Sequence, residues 1–255
     1  TLVIVGCGMS YPWIVMCKRK NKKGSATREQ NGAVQDDYDE LESESEQRDL
    51  LSGRLSSDDE EDDATQTGWL KIDVKDSSVN VLRKQVMLEW ADILKEISAD
   101  GDLKALCFLS GKPGGFVYGA DIAEFEELKT PDDVHQLIEL ADQVLSAMEN
   151  LAIPTICGID GVAVGGGLEV ALPCDRIVAV NQASTKLGFP EINLGILPGY
   201  GGTGRALRRI GMEATLDMVL SGRLLGAEEA ASWQLVDRLV SDTDALKDAM
   251  REEIG

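Results

Sequence analysis

From Trp69 onward, short strand patterns alternate with helix patterns, and this alternation limits the chain to a small set of folds. Residues 69–74 alternate apolar and polar side chains, and residues 103–109 form an apolar run typical of a buried strand. Apolar residues at helical spacing lie between them at 82–97, and further strands are predicted at 155–159 and 177–180. Strands that alternate with helices indicate an α/β fold.

The clearest helix start is the segment Thr130-Pro-Asp-Asp133. Threonine at the cap, proline at the first helical position and aspartate at the third together predict a helix that begins at Pro131. Apolar residues at helical spacing continue to Leu151, and Pro154 then ends the helix. Beyond Thr203 the pattern predicts helices to the end of the chain.

Two glutamates lie in glycine-bearing frames. Glu169 closes the segment Asp160-Gly-Val-Ala-Val-Gly-Gly-Gly-Leu-Glu169, and Glu191 lies in Gly188-Phe-Pro-Glu191. Paired carboxylates suit acid/base catalysis, because different surroundings can hold one protonated and the other ionised. These glutamates are therefore the candidate catalytic residues.

Glycine-bearing loops also follow the two predicted central strands. One runs from Ser110 to Asp121, the other is Gly165-Gly166-Gly167, and each precedes a helix. N–H groups at a helix start are free to meet a negative charge, and two such loops can aim N–H groups at one oxygen from both sides. That is the geometry of an oxyanion hole. The alternative interpretation of these glycines is close packing of helix on strand.

As an ordered set, these motifs resemble the enoyl-CoA hydratase (crotonase) superfamily. The early segment 78–82, Ser-Val-Asn-Val-Leu, is similar to the hydratase segment that begins multifunctional fatty-acid β-oxidation enzymes of the trifunctional alpha-subunit type. The resemblance covers residues 69–240. Its further segments are Gly119-Ala-Asp-Ile122, Ile153-Pro-Thr155, Gly165–Glu169, Gly188–Glu191, Gly195–Thr203, Ala214–Gly222 and Leu235-Val-Asp237.

The resemblance implies an enoyl-CoA hydratase that adds water to 2-enoyl-CoA in fatty-acid β-oxidation. It implies that the backbone N–H groups of Ala120 and Gly166 bind the thioester oxygen, and that Glu169 and Glu191 are the two catalytic carboxylates. Around them, Gly119, Asp121 and Gly165 are the further predicted substrate-binding residues. The family needs no metal and no redox cofactor, since the acyl-CoA is itself the substrate.

For the fold, the resemblance implies an α/β, crotonase-like spiral of ββα units, with a disordered acidic N-terminal appendage and truncated C-terminal helices. The superfamily is usually trimeric, so a homotrimer or a place in a larger multifunctional β-oxidation protein is expected. Two departures stand out: Gly202-Thr-Gly-Arg205 replaces the more usual Gly-Gly-Thr-Gln-Arg, and Pro173 lies in the helix predicted after the triple glycine.

Other functions remain open on the residues alone. A Δ3-Δ2-enoyl-CoA isomerase shares the oxyanion hole but only moves protons. A catalytically impaired, membrane-tethered crotonase-like binding domain is the non-enzyme alternative. Residues 199–204 formally match a dinucleotide-binding fingerprint, but they follow Pro198 and no second half of a Rossmann domain is present. The single histidine, His135, is predicted to lie on a helix surface.

The chain before Trp69 differs in composition. Between residues 35 and 63, fourteen Asp and Glu face only Arg48 and Arg54, which gives −12 of the chain's formal −20. Such a segment buries too little apolar surface to order itself, so residues 24–68 are predicted to be a disordered linker, with Glu46–Leu51 as an alternative acidic dileucine signal. Acidity concentrated in this way argues against a nucleic-acid partner.

Residues 1–17 are apolar and end at a basic run, 18–23. Seventeen residues is the short limit for a membrane helix, so this segment is interpreted either as a membrane-span remnant that contacts a membrane or as a disordered leader. Cysteines without close spacing exclude a zinc motif and favour a reducing compartment. A mitochondrial or cytoplasmic location is therefore expected. The predicted hydratase domain spans residues 69–255 and is incomplete at its C-terminus.

Overall fold

The computed structural model describes residues 66–254. The apolar segment 1–17, the basic run and the acidic segment through residue 65 lie outside the described residues. The first element of the described part is a strand that begins at Thr67, two residues before the predicted start of the domain at residue 69. Of the helices in the described part, none combines the length and the apolar character needed to cross a bilayer.

Nine strands alternate with seven α-helices and one 3₁₀ helix in the described residues. The strands are β1 (Thr67–Ile72), β2 (Ala105–Ser110), β3 (Gly115–Val117), β4 (Thr155–Ile159), β5 (Val162–Val164), β6 (Arg176–Val180), β7 (Lys186–Gly188), β8 (Leu224–Gly226) and β9 (Arg238–Val240). The helices are α1 (Lys84–Ala99), α2 (Ile122–Glu127), α3 (Pro131–Glu149), α4 (Gly166–Ala171), the 3₁₀ helix Pro190–Leu194, α5 (Gly202–Ser221, kinked at Gly211), α6 (Ala227–Ser232) and α7 (Asp244–Glu252).

The larger sheet is parallel throughout, with the strand order β1-β2-β4-β6-β9. Its strands are apolar on both faces because both faces are covered, as expected for parallel sheets. Alternate residues such as Trp69, Cys107 and Ile156 pack on one face with Leu246 and Met250 of α7. Their neighbours in the strands pack on the other face into the main core, which includes apolar residues of α1 and α3.

Three consecutive units repeat the same order of strand, strand and helix. They are β2-β3-α2, β4-β5-α4 and β6-β7 followed by the 3₁₀ helix. In each unit the first strand enters the larger sheet and the second enters a smaller one, ordered β3-β5-β7-β8. This repetition confirms the spiral of ββα units that the resemblance implied.

The smaller sheet sets the position of the site. Its strands β3, β5 and β7 are parallel neighbours, so the loops that leave their carboxyl ends lie side by side. Val117 leads to Gly119 and Ala120, Val164 leads to the triple glycine, and Gly188 leads to Glu191. Each ββα unit therefore supplies one of the segments predicted to carry the chemistry.

The helix predicted at Pro131 is confirmed, with both halves of its cap in place. The Asp133 N–H donates to Thr130 Oγ1 at 3.1 Å, and Asp133 Oδ2 accepts from the Thr130 N–H at 2.8 Å. The prediction of helices alone beyond Thr203 is wrong, because β8 and β9 interrupt them. Three residues are too few to show a strand period, and both strands exist only through pairing with β7 and β6.

Candidate active site

Backbone geometry brings Ala120 and Gly166 together. Leu82 bridges Ala120 in parallel: the Leu82 N–H donates to Gly119 C=O at 2.8 Å, and the Asp121 N–H donates to Leu82 C=O at 2.9 Å. This bridge uses the groups on either side of Ala120, so the Ala120 N–H points away from Leu82. Ala120 N lies close to Gly166, since an added Cβ on Gly166 would stand only 3.4 Å from it.

The Gly166 N–H is the second candidate donor. Gly166 is the first residue of α4, where helix geometry provides no intrahelical acceptor. Gly165 before it has φ 55° and ψ −129°, a conformation that favours glycine, and its N–H donates to Gly188 C=O at 2.9 Å. Gly167 has no room for a side chain, because a Cβ would overlap the Val117 carbonyl oxygen. Gly167 therefore fits the close-packing interpretation, and the anion site at Gly166 stays a prediction.

Glu169 lies one helical turn after Gly166 and is 1% exposed. Its Oε1 accepts from the Tyr200 N–H at 2.8 Å and the Gly202 N–H at 2.7 Å, at the start of α5. Burial raises its pKa to about 7, and the charge of Glu191 adds to this effect, while the two backbone hydrogen bonds oppose it. Both of these bonds are made at Oε1.

Glu191 approaches the glycine turn at Gly165. Its Oε1 lies 3.0 Å from the position of a Cβ on Gly165. Its Oε2 is buried and accepts no hydrogen bond from any described residue. Burial also raises the pKa of Glu191 to about 7. Two carboxylates that change protonation near neutral pH therefore flank one pair of backbone donors.

Asp121, unlike the two glutamates, has both carboxylate oxygens hydrogen-bonded to neighbours outside the glycine turn. Its Oδ2 accepts from Arg83 Nε at 2.7 Å, and its Oδ1 accepts from the Ala123 N–H at 3.0 Å, which caps α2. The Asp121 carboxylate is thus engaged away from the glycine turn. Through its backbone bond to Leu82 it helps to hold Ala120, and this supports the site instead of forming part of its surface.

Sequence reasoning did not assign roles to several residues that build the site. The N–H groups of Tyr200 and Gly202 donate to Glu169. Both residues lie in the segment Gly195–Thr203 that carries the resemblance, but no role was predicted for either. Asn80 is 1% exposed and its side-chain amide joins four groups from the strands around it. A buried polar side chain needs hydrogen-bond partners. An asparagine between two valines could therefore have been predicted to link neighbouring segments.

Gly202 provides a first test of how Glu169 is held. A Cβ on Gly202 would stand 2.7 Å from Glu169 Oε1 and 2.8 Å from Phe189 Cζ, whereas a Cβ on Gly204 would meet nothing within 4 Å. Gly202→Ala is therefore expected to displace the carboxylate and lower kcat by on the order of 10²-fold, as small misplacements of reacting groups do. Gly204→Ala, in the same helical turn, should keep the parental kcat. Steady-state kinetics with 2-enoyl-CoA, the substrate that the resemblance implies, compare the two, and equal kcat values would contradict this picture.

Glu169→Gln is expected to change how stability depends on pH. Because the folded pKa of Glu169 is about 7 and its ordinary value is 4.5, the folded state keeps a proton that the unfolded state has released. The parental free energy of unfolding therefore falls as pH rises from 4.5 to 7, by roughly 3 kcal/mol from this group. Glutamine does not titrate. The free energy of unfolding of Glu169→Gln, measured relative to the parent, should therefore increase from pH 5 to pH 8. Urea unfolding at both pH values measures it, and a constant difference would refute the raised pKa.

Together these groups can stabilise a developing oxyanion and move protons beside it. The backbone N atom of Ala120 lies close to Gly166, and Glu191 lies near Gly165 and acts on Glu169 through its charge. Tyr200 is 6% exposed, with ring atom Cε2 3.4 Å from the Cβ position of Gly166, and burial raises the pKa of its phenol, which stays neutral. In the described part of the chain, no group of three His, Cys, Asp or Glu side chains is placed to hold a metal ion.

Comparison with known proteins gives the same result as the geometry. Residues 64–254 match the family model described as Enoyl-CoA hydratase/isomerase. The chain is 39% identical over 181 residues to the fatty acid oxidation complex subunit alpha of Shewanella loihica, and 40% identical to that of Shewanella halifaxensis. Each alignment covers 71% of this chain and 26% of the relative, so the chain spans about a quarter of the length of these curated relatives.

Solved structures show the same fold. The enoyl-CoA hydratase from Bacillus anthracis matches with a TM-score of 0.68 at 27% identity, covering 74% of this chain and 71% of that one.

Proposed function

The chain belongs to the enoyl-CoA hydratase/isomerase family, and on that premise we propose that it is an enoyl-CoA hydratase, which adds water across the double bond of 2-enoyl-CoA. The observation that carries the proposal is the pair of carboxylates, each with a pKa of about 7, beside the close approach of Ala120 N to Gly166. Near neutral pH such a pair populates the state in which one carboxylate is ionised and the other protonated.

The reaction follows from this arrangement. The N–H groups of Ala120 and Gly166 bind the thioester oxygen and stabilise the negative charge that develops on it. The ionised carboxylate takes a proton from water as the water oxygen bonds to Cβ. The electrons of the double bond move toward the thioester oxygen to form an enolate, and the protonated carboxylate then delivers a proton to Cα. Water supplies the hydroxyl group at Cβ and one proton, and the two carboxylates exchange their protonation states, so the step balances with water, the CoA thioester and the chain's own groups.

The proposal is tested by incubating the purified full chain with crotonyl-CoA and following the loss of enoyl-thioester absorbance. Hydration that disappears in the double variant Glu169→Gln/Glu191→Gln supports the proposal. Migration of the double bond in a 3-enoyl-CoA, without hydration, would instead identify an isomerase. Binding of the thioester with no turnover of either substrate would identify a binding domain.

We also propose that this chemistry serves fatty-acid β-oxidation, either within a larger multifunctional protein or in a homotrimer. The printed names of the Shewanella relatives support the first setting. For the second, α5 exposes a row of apolar side chains that would favour contact with another protein surface: Leu207, Met212, Leu216 and Leu220. Light scattering of the purified chain measures the assembly, and the mass of a single chain would reject the homotrimer.

A further inference from the structure

We propose that Arg205 is a positioning residue for Glu169, because it fixes the loop 200–202 whose amides hold the Glu169 carboxylate. Arg205 lies in the first turn of α5, and its side chain is only 5% exposed. Its part in turnover rests on the proposed hydration, but its effect on Glu169 can be measured without substrate.

The guanidinium of Arg205 is held from two sides. Nη1 donates to the Tyr200 carbonyl oxygen at 2.8 Å, and Nε donates to Glu149 Oε2 of α3 at 3.1 Å. Nη2 lies 3.5 Å from Ser146 Oγ, also on α3. Arg205 therefore ties the Tyr200–Gly202 loop to a long helix that is itself packed into the core.

This loop is the one that carries the two donors to Glu169. The Tyr200 and Gly202 N–H groups flank Gly201, and both donate to Glu169 Oε1. Gly201 has φ 83°, and a Cβ there would stand 2.6 Å from Arg205 Nη1. The guanidinium thus fills the space beside Gly201 and pairs the carbonyl between the two donor amides. Without it, the Tyr200 carbonyl would lose its partner at a buried position, and the loop would lose its support.

Arg205 also acts on Glu169 through its charge. Burial raises the Glu169 pKa to about 7, Glu191 raises it further, and Arg205 lowers it. Four other ionisable groups surround this region. Tyr200 stays neutral and is acted on by the charge of Glu124, Glu149 pairs with Arg205, and Asp142 lies near Gly201. Loss of the guanidinium is therefore expected to move the titration of Glu169 to higher pH.

Arg208 provides a matched control. It lies one turn of α5 farther on and pairs with the same carboxylate, since its Nη2 is 2.6 Å from Glu149 Oε1. Its side chain is 61% exposed, and no described bond joins it to the Tyr200–Gly202 loop. Arg205→Met and Arg208→Met each remove one cation from Glu149, but only the first removes the support of the loop.

The first measurement is steady-state hydration. Arg205→Met should lower kcat by about 10- to 100-fold, because Glu169 loses its fixed position, while KM for crotonyl-CoA stays near the parental value. Arg208→Met should keep both constants. Absence of hydration in the parent would reject the proposed function and leave the second measurement to decide the role of Arg205.

The second measurement uses no substrate. The infrared band of the Glu169 carboxyl group, isolated by subtraction of the Glu169→Gln spectrum, is titrated in the full chain. The midpoint of this titration should move to higher pH in Arg205→Met and remain parental in Arg208→Met. Arg205→Lys keeps a positive charge, so its midpoint should lie between those of the parent and Arg205→Met. If Arg205→Met does not fold by circular dichroism, Arg205→Gln serves the same test. If Arg205→Met or Arg205→Gln is folded and the midpoint of the Glu169 titration does not move, the proposal is overturned. An arginine that only stabilises the fold would leave that midpoint unchanged.

Discussion

Glutamine at position 169 or 191 is expected to lower kcat for hydration by roughly 10²- to 10⁴-fold, with little change in KM. Glutamine keeps the size of the side chain and can still accept the Tyr200 and Gly202 N–H bonds at position 169. It cannot take or give the proton. The expected loss is therefore confined to the proton transfers at Cα and Cβ, and substrate binding remains.

Two measurements make this test specific. Glu213 is exposed on α5, so Glu213→Gln is a control that changes one glutamate outside the site and should leave kcat unchanged. Because the pKa values of both site glutamates are raised to about 7, the parental rate should be greatest near neutral pH and fall on either side. Parental kcat in a glutamine variant would remove that residue from the mechanism.

Gly166→Pro is expected to abolish most turnover, because proline removes one of the two oxyanion donors. Loss of a single donor of this kind costs roughly 10²- to 10³-fold in kcat. The backbone at this position suits proline, which is favoured at the first residue of a helix. Gly165, with φ 55° and ψ −129°, is close to the mirror image of the extended conformation that precedes proline, and it has no Cβ to clash.

Gly166→Ala is the matched control for this substitution. Both variants add a Cβ that would stand 2.9 Å from Leu82 Cδ1 and 3.4 Å from Ala120 N, so both crowd the oxyanion hole. Only proline also deletes the N–H group. Alanine should therefore reduce kcat, and proline should reduce it well below the alanine value, with thermal melts showing both folded. Equal kcat values in the two variants would show that the Gly166 N–H does not bind the thioester oxygen.

Local patterns were enough to predict much of the fold. The capping box at Thr130 and the buried strand 155–159 depend on neighbours within a few residues, and both lie where they were predicted. The other long elements shift by one or two residues at their ends, where helices and strands fray. Strands β8 and β9 were missed because each depends on a partner strand distant in the chain.

For the site, the sequence by itself determined the chemical groups: two glutamates, and glycines whose backbone N–H groups stay free at a helix start. The resemblance carried by their order also implied a spiral of ββα units, and the structure shows that three such units bring them to one edge of a sheet. Only the tertiary structure decided their chemical state. The donors to Glu169 lie 31 and 33 residues away, Glu191 Oε2 is left without a partner, and Asp121 is turned to Arg83. A pKa depends on burial and on charges and donors from other elements, so it exists only once the chain has folded.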